Sequence, residues 1–298
     1  MNQTLRAYID LTRLQFSFAW PVLFSSGYLL AVSVYGGFSW FALLRVALIG
    51  FFGFEAGLIL NDYVDREFDR KDTEKDKLTR YWRVFGTRPI ADGLIPPSHA
   101  LLLLIFFALI ATGLILTFPA PHSVYALLLM LYCFAIEIFY QEEKRKQAFP
   151  FAQLIGRTDF ALFPVVGYLI AGQPDAYAIL WFVFFYPFAL AHLGANDLID
   201  IVNDRARGMN TIPVLYGIDK TAFWITGFTA IHAGTAILFM IHLTWIPRAG
   251  IIAGLILLVY ANIIILKTRT PDSTLKVLPF FHVAMVIYAV SIGLGSVM

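Results

Sequence analysis

Cysteine is almost missing. Cys133 is the only one in 298 residues, so the chain can form neither an internal disulfide nor a Cys-rich metal site. Any metal must therefore be held by oxygen ligands. Charge is scarce too, at 14% of residues, where an ordinary soluble domain carries roughly 25%. Acidic and basic residues nearly cancel to a net charge of +2, which excludes the overall polyanion-binding signature of a nucleic-acid partner. What replaces charge is apolar: 59% of residues, among them 28 Phe, 14 Tyr and 6 Trp, with a mean hydropathy of +0.73. No single soluble core of this size buries so much apolar surface. Lipid is the solvent for most of the chain.

A bilayer core of about 30 Å needs roughly 20 apolar residues per helix. Nine such runs occur, near 16–36, 40–60, 98–118, 122–140, 151–171, 176–196, 221–242, 246–266 and 277–297. The fifth is interrupted by Arg157 and Asp159. The first fourteen residues, with Arg6, Asp10 and Arg13, read as an amphipathic lead-in and not as a cleavable signal, because the run behind them has full membrane length. Lys and Arg set the orientation. The N-terminal segment holds two, 61–97 holds eight, and 141–150, 197–220 and 267–276 hold three each, which places 19 of the 22 on one side. The alternate connections hold none. The expected topology is an all-α, multi-pass protein of the cell membrane, with nine spans, a cytoplasmic N-terminus and every long polar loop on the cytoplasmic side. It forms one domain over 1–298, with cap loops at about 61–97 and 197–220.

Those loops contain a repeat. Asn61-Asp62-x-x-Asp65-x-x-x-Asp69 ends the second span, and Asn196-Asp197-x-x-Asp200-x-x-x-Asp204 ends the sixth with identical spacing. On a continuing helix Asn61, Asp65 and Asp69 share one stripe, as do Asn196, Asp200 and Asp204. Like charges at i, i+4 destabilise a helix, more so near lipid, and a cation offsets that cost. Mg²⁺ suits such a ladder because it takes a few carboxylates plus waters and phosphate oxygens, and two facing ladders accommodate two ions. Such a site neutralises a diphosphate and stabilises it as a leaving group. The bland alternative is a pair of solvated helix ends balanced by neighbouring Lys and Arg. Nearby cations complete a diphosphate site: Arg88 in Thr87-Arg88-Pro89-Ile90, Lys144 and Arg145 after Tyr140, and Arg205 and Arg207 after the second motif. Each alone is an ordinary loop charge; Arg88 and Lys144 stand out by their motif setting.

Together these motifs resemble the UbiA superfamily of intramembrane prenyltransferases over nearly the whole chain. The resemblance is carried by the two acidic motifs, Arg88-Pro89-Ile90-x-x-Gly93, Tyr140-x-x-x-Lys144 and Gly208-x-x-Thr211-Ile212-Pro213-x-x-x-Gly217. It implies nine helices around a central cavity under a polar cap. It assigns Asn61, Asp65, Asp69, Asp200 and Asp204 to two Mg²⁺ ions, with Asp62 and Asp197 as adjacent support and Asn196 matched to Asn61 by the repeat. Arg88, Lys144 and Tyr140 would bind the diphosphate of an isoprenyl donor, with Arg145 and Arg207 near by. The implied reaction ionises the allylic diphosphate and captures the allylic cation with a lipophilic or phosphorylated acceptor. An aromatic cavity suits a cation and excludes water.

Three departures stand out. Residues 70–86 form a longer loop than the archaeal-lipid and chlorophyll-type branches carry, an expected lid. Gln15 stands where an Asn often follows the early Arg. Arg157 and Asp159 charge the fifth span and, with His192 one turn before Asn196, are candidates for acceptor contact or for support of the acidic motif; Glu55 and Glu137 raise the same question. A terpene cyclase using the same donor without an acceptor is the main competing activity, and a cation-coupled transporter a weaker one, since both motifs lie at helix ends and not at the midplane. No motif selects the acceptor, although the Arg-Pro-Ile and Thr-Ile-Pro wording leans toward the archaeal ether-lipid branch.

Overall fold

A computed structural model describes residues 2–297, and among them the regular structure is entirely helical. The elements are α1 (Gln3–Leu11), α2 (Ala19–Tyr35), α3 (Trp40–Asp69), α4 (Leu78–Trp82), α5 (Pro97–Leu116), α6 (His122–Glu143), α7 (Phe151–Gly156), α8 (Thr158–Leu169), α9 (Ala176–Ile199), α10 (Ile201–Arg207), α11 (Ile212–Met240), α12 (Trp245–Thr268) and α13 (Pro271–Val297). Local chemistry sets the starts. Ser39 Oγ accepts from the Ala42 amide at 3.3 Å and Asp175 Oδ1 from the Ala178 amide at 3.0 Å, while Pro97 opens α5. With 30 residues, α3 is about 45 Å long and outruns the hydrocarbon layer. Its last turns therefore carry the first acidic motif out of the apolar zone.

Among the described residues eight helical segments are long and apolar enough to cross a membrane. The ninth expected span is present as α7 and α8, broken at Arg157. The break sets the half-buried Arg157 between two short helical pieces. The seventh span also differs at its start: a helical turn from Ile212 precedes Gly217, whose φ of 84° and ψ of 168° interrupt α11. Only glycine holds that backbone without strain.

The helices close on themselves. Neighbours α2, α3, α6, α8, α9 and α13 surround a central space, α13 packing back on α2, with α5 outside α3 and α11 and α12 outside α9 and α13. Large apolar side chains such as Trp40, Phe41, Leu102, Phe106 and Leu109 are exposed on the outer faces, as lipid contact requires. Where α2 crosses α8 the backbones nearly touch. A Cβ on Gly27 would lie 1.9 Å from the Pro164 carbonyl oxygen, and one on Gly167 2.0 Å from that of Phe24. Two glycines thus bring the broken helix against the ring.

The cap is one fastened structure. Asp10 of α1 accepts from the amides of Phe85 and Thr87 at 2.8 and 2.9 Å. Asn203 of α10 accepts from the amides of Thr73 and Glu74 at 3.0 and 2.9 Å and donates to the Glu74 carbonyl at 2.7 Å. The long 70–86 loop is consequently tied at both ends, and α4 lies between the ties.

Candidate active site

Both acidic motifs face one cavity. Asn61, Asp65 and Asp69 line it from α3, and Asn196, Asp200 and Asp204 line it from α9 and α10. The second stripe crosses the short break at Asp200, yet the backbone keeps helical register: Asp200 N donates to Asn196 O at 3.0 Å and Asp204 N to Asp200 O at 2.9 Å. The spacing in sequence therefore survives as spacing along a wall.

The acids carry paired cations. Lys144 Nζ donates to Asp65 Oδ2 at 2.8 Å, and Arg145 reaches Asp65 Oδ1. Arg88 bridges Asp69 at 2.8 Å and Asp72 at 2.5 Å. Arg207 bridges Asp72 at 2.5 Å and Asp200 at 3.3 Å, so Asp72 links the two motifs. Burial, with Asp200 and Asp197 close by, pushes the Asp204 carboxyl well above the usual carboxylate range. Burial also raises Asp200, against the pull of Arg207 and Arg88. Burial works against the charge of Arg207, but Asp200, Asp69 and Asp72 hold its guanidinium above its ordinary value. Negative charge is thus in excess around Asp200 and Asp204.

Mg²⁺ fits this donor set in chemistry. Asn196 Oδ1 and Asp69 Oδ1 are buried oxygens without a hydrogen-bond partner, and Asp200 and Asp204 are raised where a bound cation would lower them. Among the described residues no three His, Cys, Asp or Glu side chains form a closed metal cluster, because Lys144, Arg145, Arg88 and Arg207 occupy carboxylate oxygens. An ion that keeps waters and shares phosphate oxygens needs no such cage.

Below the acids the walls change in layers. Tyr140, one turn down α6 from Lys144, lies under two cations, Lys144 Nζ at 4.9 Å and the Arg157 guanidinium at 5.0 Å from its ring centre. Glu137, Arg157, Asp159, His192 and His282 follow. Asn61 donates to Glu137 at 2.7 Å, and Asp159 accepts from the Phe160 amide. His192 meets His282 at 2.9 Å between Nε2 atoms, and Tyr81 of the lid meets His282 Nδ1 at 2.7 Å. The floor is aromatic: Trp20 stacks on Phe54 at 3.7 Å, and Phe54 meets Phe163 at 4.9 Å.

Of the residues singled out by sequence, Asn61, Asp65, Asp69, Asn196, Asp197, Asp200, Asp204, Arg88, Tyr140, Lys144, Arg157, Asp159, His192 and Arg207 share this cavity. Asp62 lies off it. One residue past Asn61 turns the side chain about 100° around the helix, where Asp62 takes two 2.8 Å bonds from Arg83 and one from Arg13. Arg145 touches Asp65 from outside the lining. Glu55 is wholly buried against α2 and apart from the cavity. Gln15 donates to the Tyr81 carbonyl at 3.4 Å and so holds the lid. Sequence reasoning missed Asp72, Asn203, Arg83 and His282. Only Asp72 had a signal, since it continues the Asp65–Asp69 stripe at i+7 and i+3.

A closed ring of membrane helices over which two acid stripes converge defines an intramembrane enzyme of the prenyl-transfer class. Residues 18–285 match the UbiA prenyltransferase family, and the chain belongs to that family. It is a multi-pass membrane prenyltransferase, which removes the transporter from the competing readings. The protoheme IX farnesyltransferase of Bdellovibrio bacteriovorus is 24% identical over 247 residues, 81% of this chain and 79% of that one. Among solved structures, a digeranylgeranylglyceryl phosphate synthase shares the fold at a TM-score of 0.70, with 20% identity and 99% of both chains covered. A UbiA homolog from Archaeoglobus fulgidus bound to DMAPP and Mg²⁺ does so at 0.64, with 17% identity over 96% of this chain and 98% of that one.

Proposed function

We propose that the protein transfers an isoprenyl group from an allylic diphosphate to an acceptor in a Mg²⁺-dependent reaction, releasing pyrophosphate at the cytoplasmic face. The observation that carries this reading is the convergence of Asn61, Asp65 and Asp69 with Asn196, Asp200 and Asp204 on a cavity with an aromatic floor. In this assignment those six residues and Asp197 hold two Mg²⁺ ions, and Asp62 contributes by fixing Arg13 and Arg83. Bound Mg²⁺ supplies the charge neutralisation that makes diphosphate a leaving group. Lys144, Arg88 and Arg207 exchange a carboxylate partner for phosphate oxygens, with Arg145 and Tyr140 behind Lys144. The C1–O bond of the donor breaks with its electron pair on pyrophosphate, the acceptor nucleophile supplies the pair for the new bond to C1, and the acceptor loses a proton. Phe54, Phe160 and Phe188 line the chamber, keep water away and face the allylic cation.

The A. fulgidus homolog, bound to DMAPP and Mg²⁺, supports the donor and the metal. The acceptor is less narrowly supported, because the B. bacteriovorus relative is a protoheme farnesyltransferase and the structural relative is a digeranylgeranylglyceryl phosphate synthase. Transfer is favoured over cyclisation by the ionisable layer under the acids: a cyclase needs apolar walls where its cation migrates, and Arg157, Glu137, Asp159 and His192 stand there instead. Purified protein with Mg²⁺ and farnesyl or geranylgeranyl diphosphate should release pyrophosphate. Asp65→Ala and Asp200→Ala should each lower that rate by about 10²- to 10³-fold, the scale of losing one preorganised electrostatic partner. Full activity in both variants would sink the assignment.

A further inference from the structure

Asn61 enters the cavity with a side-chain amide that can turn either way, and only its oxygen can bind a cation. Three side chains of α6 set the sense of that amide. Glu137, Gln141 and Lys144 stand at i, i+4 and i+7, on one face of the helix. The Lys144 ammonium has donors only, so Gln141 Oε1 turns toward it. The Gln141 amide nitrogen then faces Glu137 and donates to Oε1. That same Oε1 accepts from Asn61 Nδ2 at 2.7 Å, which directs Asn61 Oδ1 away from α6. At the upper end Lys144 Nζ donates to Asp65 Oδ2 at 2.8 Å. The α6 ladder thus ends on two residues of α3 one turn apart, and each bond fixes the sense of the next.

Gln141 has no other evident use for its polarity. It is fully buried and lies outside the cavity lining, so the cost of taking its amide out of water is offset by bonds to Glu137 and Lys144. The second acidic motif meets the same requirement by other means. Asn196 Nδ2 donates to the His192 carbonyl of its own helix at 3.2 Å, and Asn196 Oδ1 is left buried without a partner. A backbone carbonyl only accepts, so it orients Asn196 whatever side chain stands at 192. Asn61 depends on a neighbouring helix instead.

We propose that Glu137 and Gln141 are positioning residues of the metal and diphosphate site, holding the Asn61 amide with its oxygen presented to Mg²⁺ and keeping Lys144 over Asp65. The proposal rests on the Mg²⁺-dependent reading above and deepens it. In this role Gln141 touches neither ion nor substrate, and Glu137 acts through Asn61. Partners that orient a ligand in this way typically cost about 10- to 100-fold in metal affinity when removed.

The test uses the purified full chain in detergent with Mn²⁺, which takes the same oxygen ligands as Mg²⁺. Binding is read by electron paramagnetic resonance with inorganic pyrophosphate present and no prenyl donor, so that no turnover enters the measurement. Glu137→Met should weaken Mn²⁺ binding about tenfold or more, while Glu137→Gln, which keeps an acceptor oxygen, should stay within about threefold of the wild type. Gln141→Met should also weaken it, and carries the test where Glu137→Met does not fold. Asn61→Asp supplies the decisive background, because either carboxylate oxygen can face the ion: there Glu137→Met should cost no further affinity. A loss of equal size in both backgrounds overturns the proposal, since that pattern belongs to general loosening of α6. Wild-type Mn²⁺ affinity in Glu137→Met and Gln141→Met, with binding lost in Asp65→Ala and Asp200→Ala, overturns it alone. Equal Mn²⁺ binding in the wild type and in the two Asp→Ala variants overturns the metal reading and this inference together.

Discussion

Asp62 and Asp65 sit three residues apart on one helix and face different surroundings. Asp65 belongs to the stripe that meets the cavity, where Lys144 and Arg145 hold it. Asp62 faces the cap, where Arg83, only 2% exposed, depends on it. Burial lowers the Arg83 guanidinium, against the opposing pull of Asp62. Removing the carboxylate leaves the buried Arg83 and the partly buried Arg13 unpaired, a loss that typically costs about 3–5 kcal/mol at a buried pair. Asp62→Ala should therefore unfold at markedly lower temperature than the wild type in detergent micelles, and Asp65→Ala, which frees Lys144 and Arg145, should lose pyrophosphate release as well as stability. A wild-type melting point in Asp62→Ala would show that Asp62 does not hold the cap. The stripe was legible from spacing alone, because i, i+4 geometry is local. The Arg83–Asp62 pair was not, since nothing at position 83 tells which acid it will meet.

At the level of elements, the 70–86 loop and the α2–α8 crossing carry the site's geometry. An unusual lid was readable from loop length. Its anchors were not, because Asp10, Asn203 and His282 lie far from the loop in sequence and meet it only after the helices close. Asn203 joins the lid to Asp200 through a 2.8 Å bond, so one side chain ties the lid to the acidic motif. Asn203→Ala removes the bonds to Thr73, Glu74 and Asp200 together. Limited proteolysis should then cut within 70–77 much faster than in the wild type; unchanged protection would mean that other contacts hold the lid. The crossing is less forgiving. Gly167→Leu would force α8 away from the Phe24 carbonyl, a strain of the overpacking kind that costs about 1–3 kcal/mol or more. Its expected outcome is a lower melting temperature in detergent micelles, and an unchanged one would show that the crossing has slack.

For the whole molecule, the cap loops, the N-terminal helix and both acidic motifs gather at one end of the ring. The Asp10 and Arg13 contacts fasten α1 to that end, in keeping with the basic-residue count. A cysteine introduced at Lys75, in a Cys133→Ala background, should react with an impermeant maleimide only from the cytoplasmic side. One at Gln173 should react only from the opposite side. The reverse pattern would invert the proposed orientation.

What the sequence determined by itself is whatever depends on local period and composition: lipid as solvent, spans of membrane length, the side that keeps Lys and Arg, and two acid stripes of matched spacing. These follow from turns of a helix and the cost of charge in hydrocarbon, which need no knowledge of neighbours. Tertiary structure alone decided which charges are satisfied. Asp72 became the bridge between motifs, the ninth span broke at Arg157, and Asp62 turned to Arg83 and Arg13 in the cap. Pairing is a property of positions brought together across the chain, and only the closed ring brings them together.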